Sequence, residues 1–123
     1  MTRAEIEAAV RAYFDALDRL DPAAAAALFA EDALLTCVNE GLVLRGREAI
    51  RGFFGEICAE SRGMEHELTG LVVDAERRRA AAELVYRDDL ADGRRYDMEN
   101  CDFFELDAAG HFSRVRFWLG GHL

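Results

Sequence analysis

The sequence predicts an α+β fold in which a curved antiparallel sheet wraps around three helices. Apolar residues recur at helical spacing in the first sixty residues, and they alternate with polar residues in four segments from Glu65 onward. Helices first and a meander of long strands afterwards indicate one layer of helices packed on one sheet. With 123 residues, about half of them apolar, the chain suits a single domain, 1–123, with one hydrophobic core.

Two helices are predicted at the start of the chain. The letters "TRAE" at residues 2–5 match a capping box, in which a threonine and a glutamate each bond to the other's backbone. Asp21 as the cap and Pro22 at the first helical position open a second, alanine-rich helix that ends near Ala30, so a helical hairpin is expected. The apolar stripe of the first helix consists of Ile6, Ala9, Val10, Tyr13, Phe14 and Leu17.

A short strand and a third helix follow. The segment "ALLTCV", residues 33–38, is predicted as the strand, and residues 39–41 supply a turn after it. The third helix starts after Gly46, and Gly63 follows it as a stop or loop residue. Its apolar stripe consists of Ile50, Phe53, Phe54, Ile57 and Cys58.

Four longer strands are predicted from Glu65 onward because the apolar period changes to two. Their sequences are "EHELTGLVVD", "AAAELVYRDD", "RRYDMENCDFFEL" and "HFSRVRFWL", with hairpin turns at "ADGR" and "DAAG". On the last strand Val115, Phe117 and Leu119 alternate with arginine and tryptophan, so these odd positions should face the helices.

The predicted inner face of the sheet mixes apolar and polar side chains. Asp102 shares its face with Phe104 and Leu106. Apolar walls with a few placed polar groups are typical of a small-molecule pocket. Asp88 and His66 lie close to strand ends, so we expect their side chains to point into solvent. The other residues assigned to this face are Leu68, Val72, Leu84, Tyr86, Tyr96, Met98 and Asn100.

Asp102 is the most informative residue of this face. An unpaired charge that faces a core is costly, so the group usually finds a partner, takes up a proton or lines a wet cavity. Asp102 is predicted in the middle of the sheet, opposite an apolar strand. Two interpretations stay open: a functional carboxyl that faces a pocket, and a core carboxyl satisfied by a tyrosine or a backbone group.

Composition and charge exclude several classes of protein. The net charge of −9 disfavours nucleic acid as a partner, and no apolar run approaches the about 20 residues of a membrane helix. The first residues lack the features of a signal peptide. Cys37, Cys58 and Cys101 share no CxxC spacing, which favours neither a disulfide framework nor a zinc site. We therefore expect a cytoplasmic protein that binds no nucleic acid, membrane or metal.

The outer face of the predicted sheet suggests self-association. Phe103 and Trp118 lie opposite the core set, beside Arg114 and Arg116. Aromatic and arginine residues are enriched in the cores of protein interfaces. We therefore expect a homodimer that packs through this face.

Three segments of the chain are similar to a known family. They are "YFDALDRLDPAAAAALFAEDALL", "LRGREAIRGFFGEI" and "DFFELDAAGHFSRVRFWLG". In these segments and in the order of its elements, nearly the whole chain resembles the SnoaL-like and ketosteroid-isomerase-like branch of the nuclear transport factor 2-like superfamily. The resemblance implies a cone-shaped, cystatin-like α+β fold. Members include isomerases, cyclases, dehydratases, epoxide hydrolases and non-catalytic binders, so the fold alone implies no activity.

The comparison with ketosteroid isomerase implies roles for three residues. Tyr13 falls where that enzyme keeps an oxyanion-hole tyrosine, and Asp102 falls where it keeps a protonated aspartic acid in an apolar site. Both would then donate hydrogen bonds to a ligand oxygen. Cys37 falls where the isomerase has its general-base aspartate. Steroid isomerisation itself is therefore not expected, and Cys37 is expected to be a passive wall residue.

Other members of the superfamily imply other chemistry. The epoxide hydrolases use an Asp, Arg, Asp arrangement, for which Asp88 and Asp102 could supply the acids. The bridging arginine is missing, because the arginines of the strands are predicted on the outward face: Arg87, Arg95, Arg114 and Arg116. A SnoaL-like cyclase would use an inward acid or base, which Asp102 or His66 could provide. The resemblance implies no metal or other cofactor.

The resulting hypothesis is a domain that binds a small apolar, oxygen-bearing molecule inside the cone. Proton transfer of the isomerase or cyclase type, carried by Tyr13 and Asp102, is one outcome of that binding. A non-catalytic binding protein and a dimeric interaction module are the alternatives. The predicted pocket residues are Phe14, Leu17, Cys37, Phe53, Phe54, Tyr86, Tyr96, Asn100, Phe104, Val115 and Phe117.

Overall fold

The computed structural model describes residues 1–123, with helices packed on the concave face of one six-stranded sheet. The α+β prediction is thereby confirmed. The helices are α1 (Arg3–Asp18), α2 (Pro22–Ala27) and α3 (Arg47–Glu60), with a short 3-10 helix at Val38–Glu40. The strands are β1 (Phe29–Cys37), β2 (Leu42–Arg45), β3 (Ser61–Asp74), β4 (Arg79–Leu90), β5 (Arg95–Leu106) and β6 (Phe112–Trp118).

Local signals set the starts of the first two helices as predicted. The Thr2 hydroxyl accepts a bond from the Glu5 backbone N–H at 3.1 Å, and the Glu5 carboxylate accepts one from the Thr2 N–H at 2.8 Å. The Asp21 carboxylate accepts the Ala24 N–H at 3.0 Å, with a proline directly after it. The second helix ends before Ala30, because β1 already begins at Phe29.

The sheet is mixed rather than purely antiparallel, which corrects one part of the prediction. Its strand order is β2-β1-β6-β5-β4-β3, and β1 pairs with β6 in parallel. A parallel pair needs a long crossover between its strands, and here most of the domain lies between the two. The sequence analysis missed β2, whose four residues pair with the end of β1.

The third strand departs most from its predicted pattern. It begins at Ser61, directly after α3, so Gly63 lies inside the strand instead of stopping the helix in a loop. Two register shifts interrupt its pairing with β4, one of them between Leu68 and Gly70. An extra residue at a bulge reverses which side chains face inward. Val72, predicted inward, is therefore 70% exposed.

The concave face carries the core, and the opposite face carries ion pairs. The stripes of α1 and α3 bury Ile6, Val10 and Ile50 completely. On the outer face Arg87 lies 2.7 Å from Glu65 and 3.0 Å from Glu67. None of the helices combines the length and apolar character needed to cross a bilayer.

Candidate functional site in the cone

A cavity of about 530 Å³, including its open mouth, lies between α1, α3 and the inner face of the sheet. Eleven of the 14 residues that line it are hydrophobic. Only about 60 Å³ of this space can be occupied by the centres of water-sized molecules, so the enclosed part is small. Eight predicted site residues line it, namely Tyr13, Leu17, Phe53, Phe54, Tyr86, Asn100, Asp102 and Phe117. The remaining lining residues are Ile57, Met64, His66, Leu84, Leu119 and Leu123.

Asp102 is a buried carboxyl without a partner in the protein. It lies in the middle of β5, with Ala82 beside it on β4 and Phe117 beside it on β6. Only 5% of the residue is exposed, and burial raises its pKa from 3.8 to about 8. No hydrogen bond or neighbouring charge opposes that rise. At neutral pH the group is therefore mostly a neutral carboxylic acid, which can donate a hydrogen bond into the cavity.

Tyr13 brings a second donor to the same cavity. Its ring packs edge-on or tilted against five phenylalanines, with centroids 5.1–5.9 Å away: Phe14, Phe29, Phe54, Phe104 and Phe112. Burial, and next the charge of Asp102, raise the pKa of the Tyr13 phenol well above its usual value. Tyr13 therefore keeps its hydroxyl proton. The packed rings hold that donor in one position, so it needs no reorganisation to meet a ligand.

Asp88 is buried and fully partnered, which contradicts the expectation that it points into solvent. Only 1% of the residue is exposed. Its carboxylate accepts a bond from the Ser61 hydroxyl at 2.6 Å and another from the Tyr86 hydroxyl at 2.6 Å. The sequence analysis failed here because β3 begins at Ser61 and covers the end of β4. Burial, followed by the bond to Asp88, raises the pKa of Tyr86.

His66 also contradicts the expectation that it lies at a solvent-exposed strand end. Because β3 starts four residues earlier than predicted, His66 is well inside the strand, and its side chain is 10% exposed. Its Nδ1 lies 2.7 Å from the Asp18 carboxylate at the end of α1. The same carboxylate accepts the His66 backbone N–H at 3.0 and 3.1 Å. No local pattern in the sequence connects these two residues, which are 48 positions apart.

The C-terminal segment forms part of the cavity mouth. The Asn39 side chain donates to the Leu119 carbonyl at 2.9 Å and accepts the Leu119 N–H at 3.0 Å. Asn100 accepts the Gly120 N–H at 3.0 Å, and a Cβ at Gly120 would overlap the Glu99 carbonyl. These bonds explain how Leu119 reaches the cavity.

Five predicted pocket residues do not line the cavity. Phe14, Phe104 and Val115 belong to the core beneath it, and the half-buried Tyr96 stacks on Tyr86 with centroids 6.2 Å apart. Cys37 is buried in the sheet beside Phe117. Burial raises the pKa of its thiol, which leaves it neutral and unsuited to act as a base. No cluster of three His, Cys, Asp or Glu side chains is arranged to hold a metal ion.

Comparison with known proteins places this architecture in a family. Residues 10–115 match the family model described as the SnoaL-like domain. The chain belongs to the SnoaL-like family. The SnoaL-like domain is also 36% identical, over 121 residues, to a steroid Δ-isomerase of Nocardioides simplex, covering 98% of this chain and 94% of that protein. The predicted resemblance is thereby confirmed.

Two solved structures show how widely the fold is used. A candidate polyketide cyclase of Xanthomonas campestris pv. campestris shares 25% identity at a TM-score of 0.82, covering 94% of this chain and 90% of that one. An epoxide hydrolase/cyclase-like enzyme of pyran-ring formation in salinomycin shares 21% identity at a TM-score of 0.84, covering 95% and 92%. The second likeness concerns the fold alone. The SnoaL-like domain therefore has relatives of several activities, and its own must be argued from its cavity.

Proposed function

We propose that this SnoaL-like domain binds a small apolar molecule through an oxygen that carries or develops negative charge. We further propose that it catalyses cofactor-independent proton transfer next to that oxygen. The single observation that supports this function is Asp102, a buried carboxyl without a protein partner that lines an apolar cavity together with Tyr13.

A ligand oxygen would relieve the cost of burying Asp102. A buried polar group without a hydrogen bond costs about 1–3 kcal/mol, and an acceptor in the cavity would remove that cost. A negative oxygen suits the site best, because a neutral carboxylic acid and a phenol are both donors with no compensating charge of their own. An enolate oxygen, formed when a carbonyl compound loses an adjacent proton, is such an acceptor.

Comparison with the relatives supports the isomerase side of this proposal more than the hydrolase side. The relative that is 36% identical to this chain is a steroid Δ-isomerase. An epoxide hydrolase arrangement lacks its arginine here, since no arginine lines the cavity and Arg87, Arg95 and Arg114 pair with carboxylates on the outer face.

Non-catalytic binding is the second candidate function. It is favoured by the neutral, buried Cys37 thiol, which stands where the isomerase branch has its base. Both candidates need the same donor pair. They differ in whether a residue that lines the cavity can accept a proton.

Calorimetric titration with 4-nitrophenol tests the donor pair. Hydrogen bonds to charged groups contribute about 1.5–3 kcal/mol, so Tyr13→Phe and Asp102→Leu should each weaken binding at least about tenfold. Tyr96→Phe is the matched control, because that tyrosine lies outside the cavity lining. Equal affinities in the wild type and both donor variants would overturn the proposal.

The pH dependence of the same binding gives an independent test. Because the pKa of Asp102 is about 8, its ionisation above that pH replaces a donor with a repelling charge. Affinity for the ionised phenol should fall as pH rises through 8 in the wild type. Asp102→Asn cannot ionise, so its affinity should stay level across the same range.

A further inference from the structure

The ring of His66 presents one nitrogen to a carboxylate and keeps the other free. Nδ1 lies 2.7 Å from Asp18 Oδ1, and that carboxylate also accepts the His66 backbone N–H. An ionised carboxylate only accepts hydrogen bonds, so in the neutral ring Nδ1 carries the hydrogen. Nε2 then keeps its lone pair. The ring bonds to the protein through Nδ1, no bond to Nε2 is present, and the residue lines the cavity.

Aromatic packing holds this ring in place. Phe14 stacks on it at a centroid distance of 5.2 Å and an interplanar angle of 28°, and Tyr86 lies 5.0 Å away on β4. The two contacts and the Asp18 bond leave the ring little freedom to rotate. A base whose direction is fixed before the substrate binds needs no reordering during the reaction.

We propose that His66 is the base that moves the proton in this domain, with Asp18 as its positioning residue, and that the substrate is an enolisable carbonyl compound. This inference rests on the proposed function, because it needs the donor pair of Tyr13 and Asp102 to hold the carbonyl oxygen. It supplies the proton acceptor that Cys37 does not provide.

The proposed step balances without any co-reactant. His66 Nε2 takes a proton from the carbon next to the carbonyl, and the C–H electron pair becomes the C=C bond of an enolate. The carbonyl π pair moves onto the oxygen, which accepts hydrogen bonds from Tyr13 and Asp102. The imidazolium then returns the proton to the same carbon or to a conjugated one, and the carbonyl forms again.

The other titratable groups of the cavity are unsuited to this step. Asp102 already holds a proton at neutral pH because burial raises its pKa, so it cannot accept the proton of the substrate. Tyr86 donates its hydroxyl to Asp88, whose two oxygens are both engaged. Tyr13 keeps its proton as well. Among the lining residues, only His66 therefore offers a free lone pair on a basic atom.

Deuterium exchange of 2-tetralone in D₂O, followed by proton NMR, tests the inference. The wild type should accelerate exchange next to the carbonyl over a buffer blank. His66→Gln should lower that acceleration by about 10²–10⁴-fold, the usual contribution of a general base. His111→Gln is the matched control, because His111 is at a turn outside the cavity lining. Imidazole added to His66→Ala should restore part of the rate.

Asp18→Asn tests positioning separately from folding. Loss of the carboxylate should reduce kcat by about 10–100-fold, the range found for the partners that orient metal-ligating histidines, with little change in KM. In ¹⁵N spectra of labelled histidine, the wild type should show His66 protonated at Nδ1, and the variant should lose that preference. A variant that keeps both the rate and the tautomer would overturn the role of Asp18.

The results separate this inference from the proposed function on which it depends. Binding of 4-nitrophenol reports on the donor pair of Tyr13 and Asp102, and exchange of 2-tetralone reports on His66. Unchanged exchange in His66→Gln, or no acceleration by a wild type that binds the phenol, would overturn the inference alone. Phenol affinity that is insensitive to Tyr13→Phe and Asp102→Leu would overturn the proposed function.

Discussion

Asp88 and Asp102 are two buried acids on the same face of neighbouring strands, yet their surroundings are opposite. Asp88 accepts hydrogen bonds from Ser61 and Tyr86, whereas Asp102 lies between Ala82 and Phe117 without any donor. The protein supplies hydrogen-bond donors to Asp88, whereas Asp102 can form a hydrogen bond only with a molecule in the cavity. Burial alone therefore does not identify a functional acid; the presence or absence of partners does.

The position of each acid along its strand explains the difference. Asp88 lies near the end of β4, where the first residue of β3 brings a hydroxyl over it. Asp102 lies where only apolar side chains from both adjoining strands reach it. The interpretation that the sequence left open for Asp102, a carboxyl satisfied by a tyrosine, applies instead to Asp88.

Truncating each acid should give the largest contrast in stability. Asp88→Ala leaves the Ser61 and Tyr86 hydroxyls without their acceptor, and each such group costs about 1–3 kcal/mol. We expect the free energy of unfolding to fall by about 2–6 kcal/mol in Asp88→Ala and by much less in Asp102→Ala. Urea denaturation of both variants measures this. Equal losses would show that the two carboxyls are both structural.

The pH dependence of stability should sharpen the same contrast. The pKa of Asp102 is raised from 3.8 to about 8 on folding, so the folded state keeps a proton that the unfolded state releases. The wild type should therefore lose stability as pH rises from about 4 to about 8, by up to about 1.4 kcal/mol per unit from this group, and level off above. Asp102→Asn removes that loss.

Urea denaturation of the wild type and Asp102→Asn at pH 5, 6, 7 and 8 isolates the effect, because all other groups are shared. The stability of the variant relative to the wild type should increase at each step. A constant difference across the series would mean that Asp102 is already ionised in the folded protein.

Removing the buried thiol of Cys37 should have little effect on stability and none on the cavity. Cys37 does not line the cavity, and its raised pKa keeps it neutral. We expect Cys37→Ala to cost about 1 kcal/mol of stability, typical of a small core change, and to leave 4-nitrophenol affinity and 2-tetralone exchange unchanged. Loss of exchange with normal folding would show that the thiol takes part in the chemistry.

Changes on the outer face of β5 and β6 should alter dimerisation without altering the cavity. Phe103 and Trp118 pack edge-on at 5.3 Å, with the Arg116 guanidinium 5.7 and 5.6 Å from their rings. Arg116 Nε is buried without an acceptor, and Phe103 is 40% exposed. We expect a homodimer through this patch. Light scattering should give twice the chain mass, and Trp118→Ala should lower it while phenol affinity is retained.

The sequence alone determined the features that depend on neighbours along the chain. The capping box at Thr2, the proline start of α2 and the alternation of Asp102 with Phe104 each follow from local hydrogen bonding or from the period of one element. For that reason Tyr13 and Asp102 could be named from the sequence as candidate donors, with the family resemblance supplying the proposed chemical role.

Tertiary structure alone decided the features that join distant segments. The parallel pairing of β1 with β6, the bulge that turns Val72 outward, the Ser61 bond to Asp88 and the Asp18 bond to His66 each depend on register or on contacts between elements. A one-residue shift in a strand reverses its faces, and no local pattern records which residue is inserted. The sequence therefore named His66 as an acid or base only through the family resemblance, and its bond to Asp18 became visible only in the tertiary structure.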